Sequence, residues 1–270
     1  MTNPSTIVIT RPLAQALPLS EKLTKLGYQV AVFPLLEIAP LPEQSELQRV
    51  FQAAIAELAG YAMVAFVSPN AIHMAMDELQ RQGKSWPQAV AIAVMGEGSR
   101  AALAQHGIHA ANAHIVSPTD PFRTDSETLL RELDLAALAG RDVLILRAQS
   151  GRELLADALT EQGINVTQVA AYCRLAASIT QPGDSGLSKQ LMSLLTPSTV
   201  WVVSSSEALR TLKQGCEKIA GATGVVKLQQ VNLFVSHQRI AETAENCQFK
   251  CIRLIGSGDE NLLLALQSHL

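Results

Sequence analysis

The sequence has few aromatic residues, since Phe, Trp and Tyr make up only 4% of its 270 residues. Its cores must therefore be filled by Ala, Val, Ile and Leu, and 48% of the residues are hydrophobic. Such a composition is typical of helices packed on buried parallel strands. Because the chain exceeds the length of one typical domain, we predict an α/β protein with two domains.

An excess of positive charge is also absent. Twenty-one Lys and Arg residues oppose 24 Asp and Glu residues, giving a formal net charge of −3, which argues against a dedicated nucleic-acid-binding protein. No apolar run reaches the roughly 18 residues of a transmembrane helix, and the first residues lack the pattern of a signal peptide. The sequence predicts a cytoplasmic protein without nucleic-acid or membrane partners.

Cysteine is sparse, and the four that occur lie in or beside apolar segments: Cys173, Cys216, Cys247 and Cys251. This pattern does not suit a disulfide framework. Cys247 and Cys251, with His237 upstream, have neither the usual spacing nor the fourth ligand of a zinc site. The histidines at positions 106, 109 and 114 are interpreted as surface loop residues, so we predict no metal site.

Short runs rich in Val and Ile alternate with segments of helical period, which indicates repeated strand–helix units. The predicted strands are residues 6–10, 29–33, 63–67, 90–95, 113–116, 142–146, 166–171, 199–204, 231–236 and 251–256. Helices are expected to fill most intervals between them. The proline-containing segments 34–42 and 172–186 interrupt this pattern and are predicted linkers.

The second half of the chain repeats the first. Three blocks recur in order, the first two at an offset of 136 residues and the third at 140: Arg11 and Gly27 with Arg147 and Gly163, residues 67–70 with 203–206, and residues 94–97 with 234–237. Conserved order and spacing across three blocks predict an internal duplication. We therefore expect two similar lobes, each a parallel sheet flanked by helices.

Small polar residues stand where predicted strands give way to helices: Ser68, Asn70, Ser99, Ser204, Ser205 and Ser206. Each could be a helix N-cap. Each could also contact an anionic ligand, because helix N-termini favour negative charge and ligands of parallel sheets bind at the carboxyl ends of the strands. Arg11 and Arg147 occupy equivalent turns, where a guanidinium could bind a carboxylate or brace a loop.

One turn suggests a different function. Residues 96–101, which read Gly-Glu-Gly-Ser-Arg-Ala, satisfy the G-x-G-x-x-A dinucleotide pattern. The pattern stands at the fourth strand-to-helix turn rather than the first, and the equivalent turn of the other half lacks these glycines. A nucleotide- or flavin-dependent enzyme remains an alternative, as does a two-lobed ligand-binding protein without catalysis. With no recognisable nucleophile, an enzyme of this sequence should act through positioning and dipoles.

These motifs, taken in order, resemble uroporphyrinogen-III synthase over nearly the whole chain. The resemblance is carried by seven segments, together with Gly27, Gly151 and Arg152: residues 9–12, 34–38, 66–71, 94–99, 125–130, 144–147 and 171–174. Two turns depart from the family pattern, because Ala148 stands where glycine is frequent and Ser236-His237 replaces a glycine-containing turn.

The resemblance implies an α/β fold of two lobes joined by two extended strands. Lobe 1 is expected to comprise residues 1–36 and 176–270, lobe 2 residues 42–170, and the linkers about residues 37–41 and 171–175. It further implies a cofactor-free enzyme that closes hydroxymethylbilane into a ring, with loss of water and inversion of the last pyrrole ring. We expect a monomer whose other partner is the upstream bilane-forming enzyme.

The resemblance also assigns residues. It points to Tyr172 as the residue that assists departure of the hydroxyl group, a task that suits a neutral phenol. From the residues alone, a half-buried aromatic of a linker is the preferred interpretation of Tyr172. The substrate-binding residues implied by matching turns are Arg11, Ser68, Asn70, Ser99, Arg147, Ser204, Ser206 and His237.

Overall fold

The computed structural model describes residues 6–119, 126–151, 153–177, 185–256 and 258–268. The strands within these residues are β1 (Thr6–Ile9), β2 (Gln29–Val32), β3 (Leu36–Ala39), β4 (Met63–Phe66), β5 (Ala91–Val94), β6 (Ile115–Val116), β7 (Asp142–Ala148), β8 (Asn165–Ala176), β9 (Thr199–Val203), β10 (Asn232–Val235) and β11 (Cys251–Leu254). All ten predicted strands are confirmed, with shifted ends. Strand β3 is additional and lies in the segment that the residue pattern assigned to a linker.

The helices alternate with these strands. They are α1 (Leu13–Lys25), α2 (Glu46–Ala56), α3 (Pro69–Arg81), α4 (Glu97–Gln105), α5 (Ser126–Glu132), α6 (Leu135–Leu138), α7 (Leu154–Glu161), α8 (Ser185–Leu194), α9 (Ser206–Leu228), α10 (Gln238–Asn246) and α11 (Asp259–Gln267). Helix α9 is broken at Gly221, where φ is 58°. Across the described ranges, no helix has the length and apolar character needed to cross a membrane.

The strands form two sheets of related order. One sheet has the order β11-β10-β9-β1-β2, and the other has the order β3-β8-β7-β4-β5-β6. Aligned by the sequence repeat, β2, β1, β9, β10 and β11 correspond to β8, β7, β4, β5 and β6, so the two sheets place equivalent strands in the same order. The register between these neighbouring strands is parallel throughout. The predicted internal duplication is confirmed.

The chain divides into two compact units. The first, called lobe 1 below, comprises Met1–Glu37 and Leu175–Leu270, and the second, called lobe 2, comprises Ile38–Arg174. The chain passes from one unit to the other within β3 and again within β8, and these two strands are hydrogen-bonded neighbours. Paired strands therefore join the lobes, as the resemblance implied.

Successive side chains of a strand point to opposite faces of the sheet. In both sheets, both faces carry buried side chains. In lobe 2, Phe66 and Leu146 pack with the side chains of α2, α3 and α4, whereas Ala65 and Ile145 pack with those of α5 and α7 on the opposite face. Lobe 1 likewise contains one apolar cluster with residues of α8, α9 and α10 and another with residues of α1 and α11. Each lobe is a sheet between two helical layers.

The repeated glycines have a conformational reason. Gly27 follows α1 and Gly163 follows α7, with φ values of 89° and 74°. A left-handed residue after a helix end is most readily a glycine, because it has no Cβ. In both lobes this glycine turns the chain from the helix into the next strand, β2 or β8.

Candidate functional site

Lobe 2 contains a switch point, where two adjacent strands are followed by helices that pack on opposite faces of the sheet. Strands β4 and β7 are adjacent and parallel. Helix α3 follows β4 and packs on one face, whereas α7 follows β7 and packs on the other. In open α/β sheets such a switch point at the carboxyl ends of the strands is the usual place for a ligand.

Ser68 occupies this switch point. It is the N-cap residue of α3, and its Oγ accepts a hydrogen bond from the backbone N–H of Ala71 at 3.2 Å. Pro69 follows at the first helical position, where a missing N–H costs nothing. The capping interpretation of Ser68 is therefore correct, and its hydroxyl is fixed in place by the start of the helix.

The hydroxyl of Tyr172 lies 3.0 Å from Oγ of Ser68, although the two residues are 104 positions apart in the chain. Either oxygen can be the donor. Tyr172 is buried, with 4% of its surface exposed. The sequence prediction named both residues, and the structure brings them together into one hydroxyl pair.

An irregularity in β8 directs Tyr172 toward Ser68. The parallel register with β7 runs Arg147 to Ala170 and then Ala148 to Tyr172, so Ala171 is an extra residue, as in a β-bulge. Ala171 and Tyr172 consequently contribute to the same apolar cluster, instead of alternating between faces. The backbone N–H of Gln149 donates to the carbonyl oxygen of Tyr172 at 2.9 Å and holds the chain after the irregularity.

Arg147 is engaged within its own lobe. Its Nη1 donates to Oε1 of Glu153 at 2.7 Å and to Oε1 of Gln168 at 2.5 Å. Gln168 in turn donates from Nε2 to Oε2 of Glu153 at 2.5 Å. The hydrogen bonds from Gln168 and Arg147 lower the pKa of Glu153. Gly151 leaves room for the guanidinium of Arg147, because a Cβ at this position would lie 2.9 Å from Nη2 of Arg147.

Arg11, the equivalent residue of lobe 1, has a similar arrangement. Its Nη1 donates to Oδ1 of Asp259, the first residue of α11, at 2.6 Å. Both repeated arginines are thus paired with an acidic residue at the start of a helix. Asp259 and Glu153 were not predicted as partners, although acidic residues at helix starts are a readable signal in a sequence.

The serines of lobe 1 are placed differently from what the repeat predicts. Offset 136 equates Ser68 with Ser204, yet the N-cap of α9 is Ser205, whose Oγ accepts from the backbone of Glu207 and Ala208. Ser204 is exposed, and Ser206 accepts a hydrogen bond from Oγ1 of Thr243 at 3.0 Å. A run of three serines leaves the capping position ambiguous in the sequence.

The remaining predicted residues also lie in the first turns of helices or beside them. His237 is the exposed N-cap of α10, and its Nδ1 accepts from the N–H of Arg239 at 3.3 Å. Asn70 is half-buried in the first turn of α3. Ser99 lies in α4 with only 3% of its surface exposed, so its hydroxyl offers little surface to a ligand in this conformation.

The glycine turn opens α4 after β5, as its sequence indicates. Gly96 is the N-cap with φ of 153°, a conformation that favours glycine. A Cβ on Gly98 would lie 3.8 Å from Cγ of Pro69, which is ordinary contact. In the part of the chain that the structure describes, no group of three His, Cys, Asp or Glu side chains is placed to hold a metal ion.

An open cavity of about 580 Å³ lies elsewhere in lobe 2. Its lining includes Leu79, Trp86, Gln88 and Ala113, and the last two shortly precede β5 and β6. The cavity therefore lies toward the amino ends of these strands, whereas Ser68 follows the carboxyl end of β4. We assign the candidate site to the Ser68–Tyr172 pair, because position at a switch point and paired functional groups define it better than volume does.

Comparison with known proteins agrees with this fold. The family model described as uroporphyrinogen-III synthase HemD matches residues 18–254. The chain belongs to the uroporphyrinogen-III synthase family. Within that family, the uroporphyrinogen-III synthase of Escherichia coli strain K12 is 30% identical over 262 residues, which cover 97% of this chain and 99% of the relative. The resemblance identified from the motifs is confirmed.

Solved structures of the uroporphyrinogen-III synthase family share the fold. A mutant uroporphyrinogen III synthase from the extreme thermophile Thermus thermophilus has a TM-score of 0.60 at 14% identity, covering 98% of this chain and 100% of that one. The enzyme from Helicobacter pylori 26695 has a TM-score of 0.57 at 15% identity, with coverage of 98% and 99%. At these identities the likeness concerns the fold alone.

Proposed function

We propose that the chain is a uroporphyrinogen-III synthase, which closes the linear tetrapyrrole hydroxymethylbilane into a ring with loss of water and inversion of the last pyrrole ring. Membership of the family supports the reaction class. We place the reaction at the switch point because the hydroxyl groups of Ser68 and Tyr172 are in contact there.

The chemistry follows from the hydrogen-bonding capacity of the pair. Oγ of Ser68 already accepts from Ala71, and its own proton is available to Oη of Tyr172. Tyr172 can then donate its proton to the hydroxyl group that leaves the substrate. As the carbon–oxygen bond breaks and water departs, the Ser68 hydrogen bond stabilises the negative charge that develops on the phenol oxygen. Tyr172 is thus the proposed catalytic residue, and Ser68 assists it.

The substrate carries carboxylate groups, and the residues proposed to bind it are Arg11, Ser68, Asn70, Ser99, Arg147, Ser204, Ser206 and His237. Arg11 and Arg147 are each engaged with an acidic side chain. A substrate carboxylate must therefore use their remaining N–H donors or replace Asp259 and Glu153. Since a guanidinium carries five N–H groups, sharing is chemically feasible.

We further propose that the enzyme acts without a cofactor, as a monomer in the cytoplasm, and receives its substrate from the upstream bilane-forming enzyme. The four cysteines are free, which suits a reducing compartment. The proposed mechanism needs only proton transfer and positioning from the chain's own residues.

The test is incubation of the purified protein with freshly prepared hydroxymethylbilane, followed by chromatographic separation of the uroporphyrinogen isomers. We expect the type III isomer to dominate. A reaction without protein gives the baseline of spontaneous type I product. If the protein leaves the product at that baseline, the proposed function is wrong.

A further inference from the structure

Two histidines of lobe 2, neither of them part of the Ser68–Tyr172 pair, are in hydrogen-bond contact. His73 lies in α3, and His106 directly follows α4. Nδ1 of His73 is 2.9 Å from Nε2 of His106, and the ring centroids are 5.1 Å apart. Both residues are half-buried, so the pair is fixed by packing of the two helices yet reachable from solvent.

The spacing of these nitrogens suits two ligands of one metal ion. Imidazole nitrogens bind zinc at about 2.0 to 2.1 Å, which places two tetrahedral ligands about 3.3 Å apart. The observed 2.9 Å needs only a small rotation of the rings to reach that separation. Both facing nitrogens become free when the protons occupy Nε2 of His73 and Nδ1 of His106. Neutral imidazole allows this tautomer without net loss of a proton.

An acidic side chain, Asp77, interacts with the histidine pair. Burial and the neighbouring His106 lower the pKa of His73, with Asp77 acting in the opposite direction. A metal ion binds an imidazole through a ring nitrogen that carries no proton. Asp77 lies one helical turn further along α3 and is exposed, so its carboxylate attracts a bound cation.

Solvent has access to the pair. His106 belongs to the wall of the 580 Å³ cavity, together with the polar residues Gln80 and Asn112. The cavity gives a metal ion a path to the imidazole of His106 and room for bound water. With two protein ligands, the remaining coordination positions would be filled by water, as in sites that exchange their metal.

We propose that His73 and His106 form a binding site for a divalent transition-metal ion such as Zn²⁺, linking α3 to the end of α4. This site is separate from the proposed catalytic pair, and its existence does not depend on the proposed activity. Imidazole selects transition metals, whereas Mg²⁺ prefers oxygen ligands. The site should therefore discriminate Zn²⁺ from Mg²⁺.

The test is titration of the full chain with ZnCl₂ at pH 7 by calorimetry, alongside NMR spectra of the histidine ring nitrogens. We expect one equivalent of Zn²⁺ to bind and to shift the signals of His73 and His106, with no effect of MgCl₂. His73→Gln and His106→Gln should each lower the affinity at least about tenfold, since loss of even an indirect partner of a metal site costs about 10- to 100-fold. His109→Gln, an exposed histidine outside the pair, is the matched control and should bind like the original protein.

Equal Zn²⁺ affinity in the original protein and in both pair variants would overturn the proposal. NMR decides the matter even if a variant fails to fold. In the unaltered protein, Zn²⁺ must shift the ring signals of His73 and His106. Shifts confined to His237 or to other histidines would place the metal elsewhere and refute the site.

Discussion

At the residue scale, the hydroxyl of Tyr172 can be tested by removing one atom. Tyr172→Phe keeps the buried ring and deletes the proton donor, so we expect the rate of type III formation to fall about 10- to 100-fold. The loss should be partial, because the hydroxyl of Ser68 remains at the site. Steady-state kinetics should assign the decrease to kcat rather than KM, since the ring still packs in place.

Tyr61→Phe is the matched control for this change. Tyr61 is also a partly buried tyrosine of lobe 2, and its hydroxyl bonds to Thr167 instead of a residue of the site. It should retain the rate of the original protein. An unchanged rate in Tyr172→Phe, or an equal loss in both variants, would remove Tyr172 from the chemical step.

The sequence predicted individual residues of the site better than their partners. Ser68 and Tyr172 were both named, because a helix start and a family motif are local features. Their mutual contact was not readable, since it joins residues 104 positions apart through the packing of β8 beside β7. The ion pair of Arg11 with Asp259 spans 248 positions and was missed for the same reason. Proposed contacts of these residues with substrate remain predictions.

At the scale of secondary structure elements, the periodic pattern found the ten strands that separate helices and missed β3. That strand has only four residues and lies between prolines at positions 34 and 40, which are typical of loops. The irregularity in β8 could not be predicted from the sequence either. Residues 169–173 are all apolar or aromatic in sequence, so no alternation shows which of them face the helix α3.

Helix α3 provides a test that separates capping from chemistry. Ser68→Ala removes both the N-cap of α3 and the hydrogen bond to Tyr172. We expect a loss of about 1 kcal/mol in the free energy of unfolding. The rate should fall at least about tenfold, as expected when a hydrogen bond to a developing charge is lost.

Ser45→Ala is the control for the helix cap. Ser45 caps α2 in the same lobe and accepts from the backbone of Gln48 at 3.1 Å. Urea unfolding should show a similar loss of stability in both variants. Only Ser68→Ala should lose activity. A comparable loss of rate in Ser45→Ala would mean that stability of lobe 2, rather than the hydroxyl pair, limits the assay.

At the scale of the whole molecule, the internal duplication could be predicted from the sequence because equivalent residues are separated by a constant number of positions. A constant offset of 136 residues joins Arg11 to Arg147 and Gly27 to Gly163, and the two sheets place the equivalent strands in the same order. The tetrapyrrole substrate was not derivable from this pattern, since many ligands bind at such switch points. The substrate is proposed from the family resemblance, and the comparisons confirm the family.

Lobe 2 should fold as an isolated fragment. Both of its apolar clusters consist entirely of residues between positions 38 and 174, so the fragment 38–174 retains a complete core on each face of its sheet. We expect native-like circular dichroism and a cooperative urea transition, followed by fluorescence of Trp86. Domains with a self-contained core commonly fold alone.

The fragment 175–270 is the natural comparison. It contains most of lobe 1 but lacks β1, which lies between β9 and β2 in the sheet. It also lacks Val8 and Phe33 of one cluster and Ile7 and Ile9 of the other. Without its inner strand, this fragment should give no cooperative transition by fluorescence of Trp201, because β9 loses a paired neighbour and both faces lose part of their core. Cooperative folding of 175–270, or a disordered 38–174, would show that the division of the core between the two units does not govern folding.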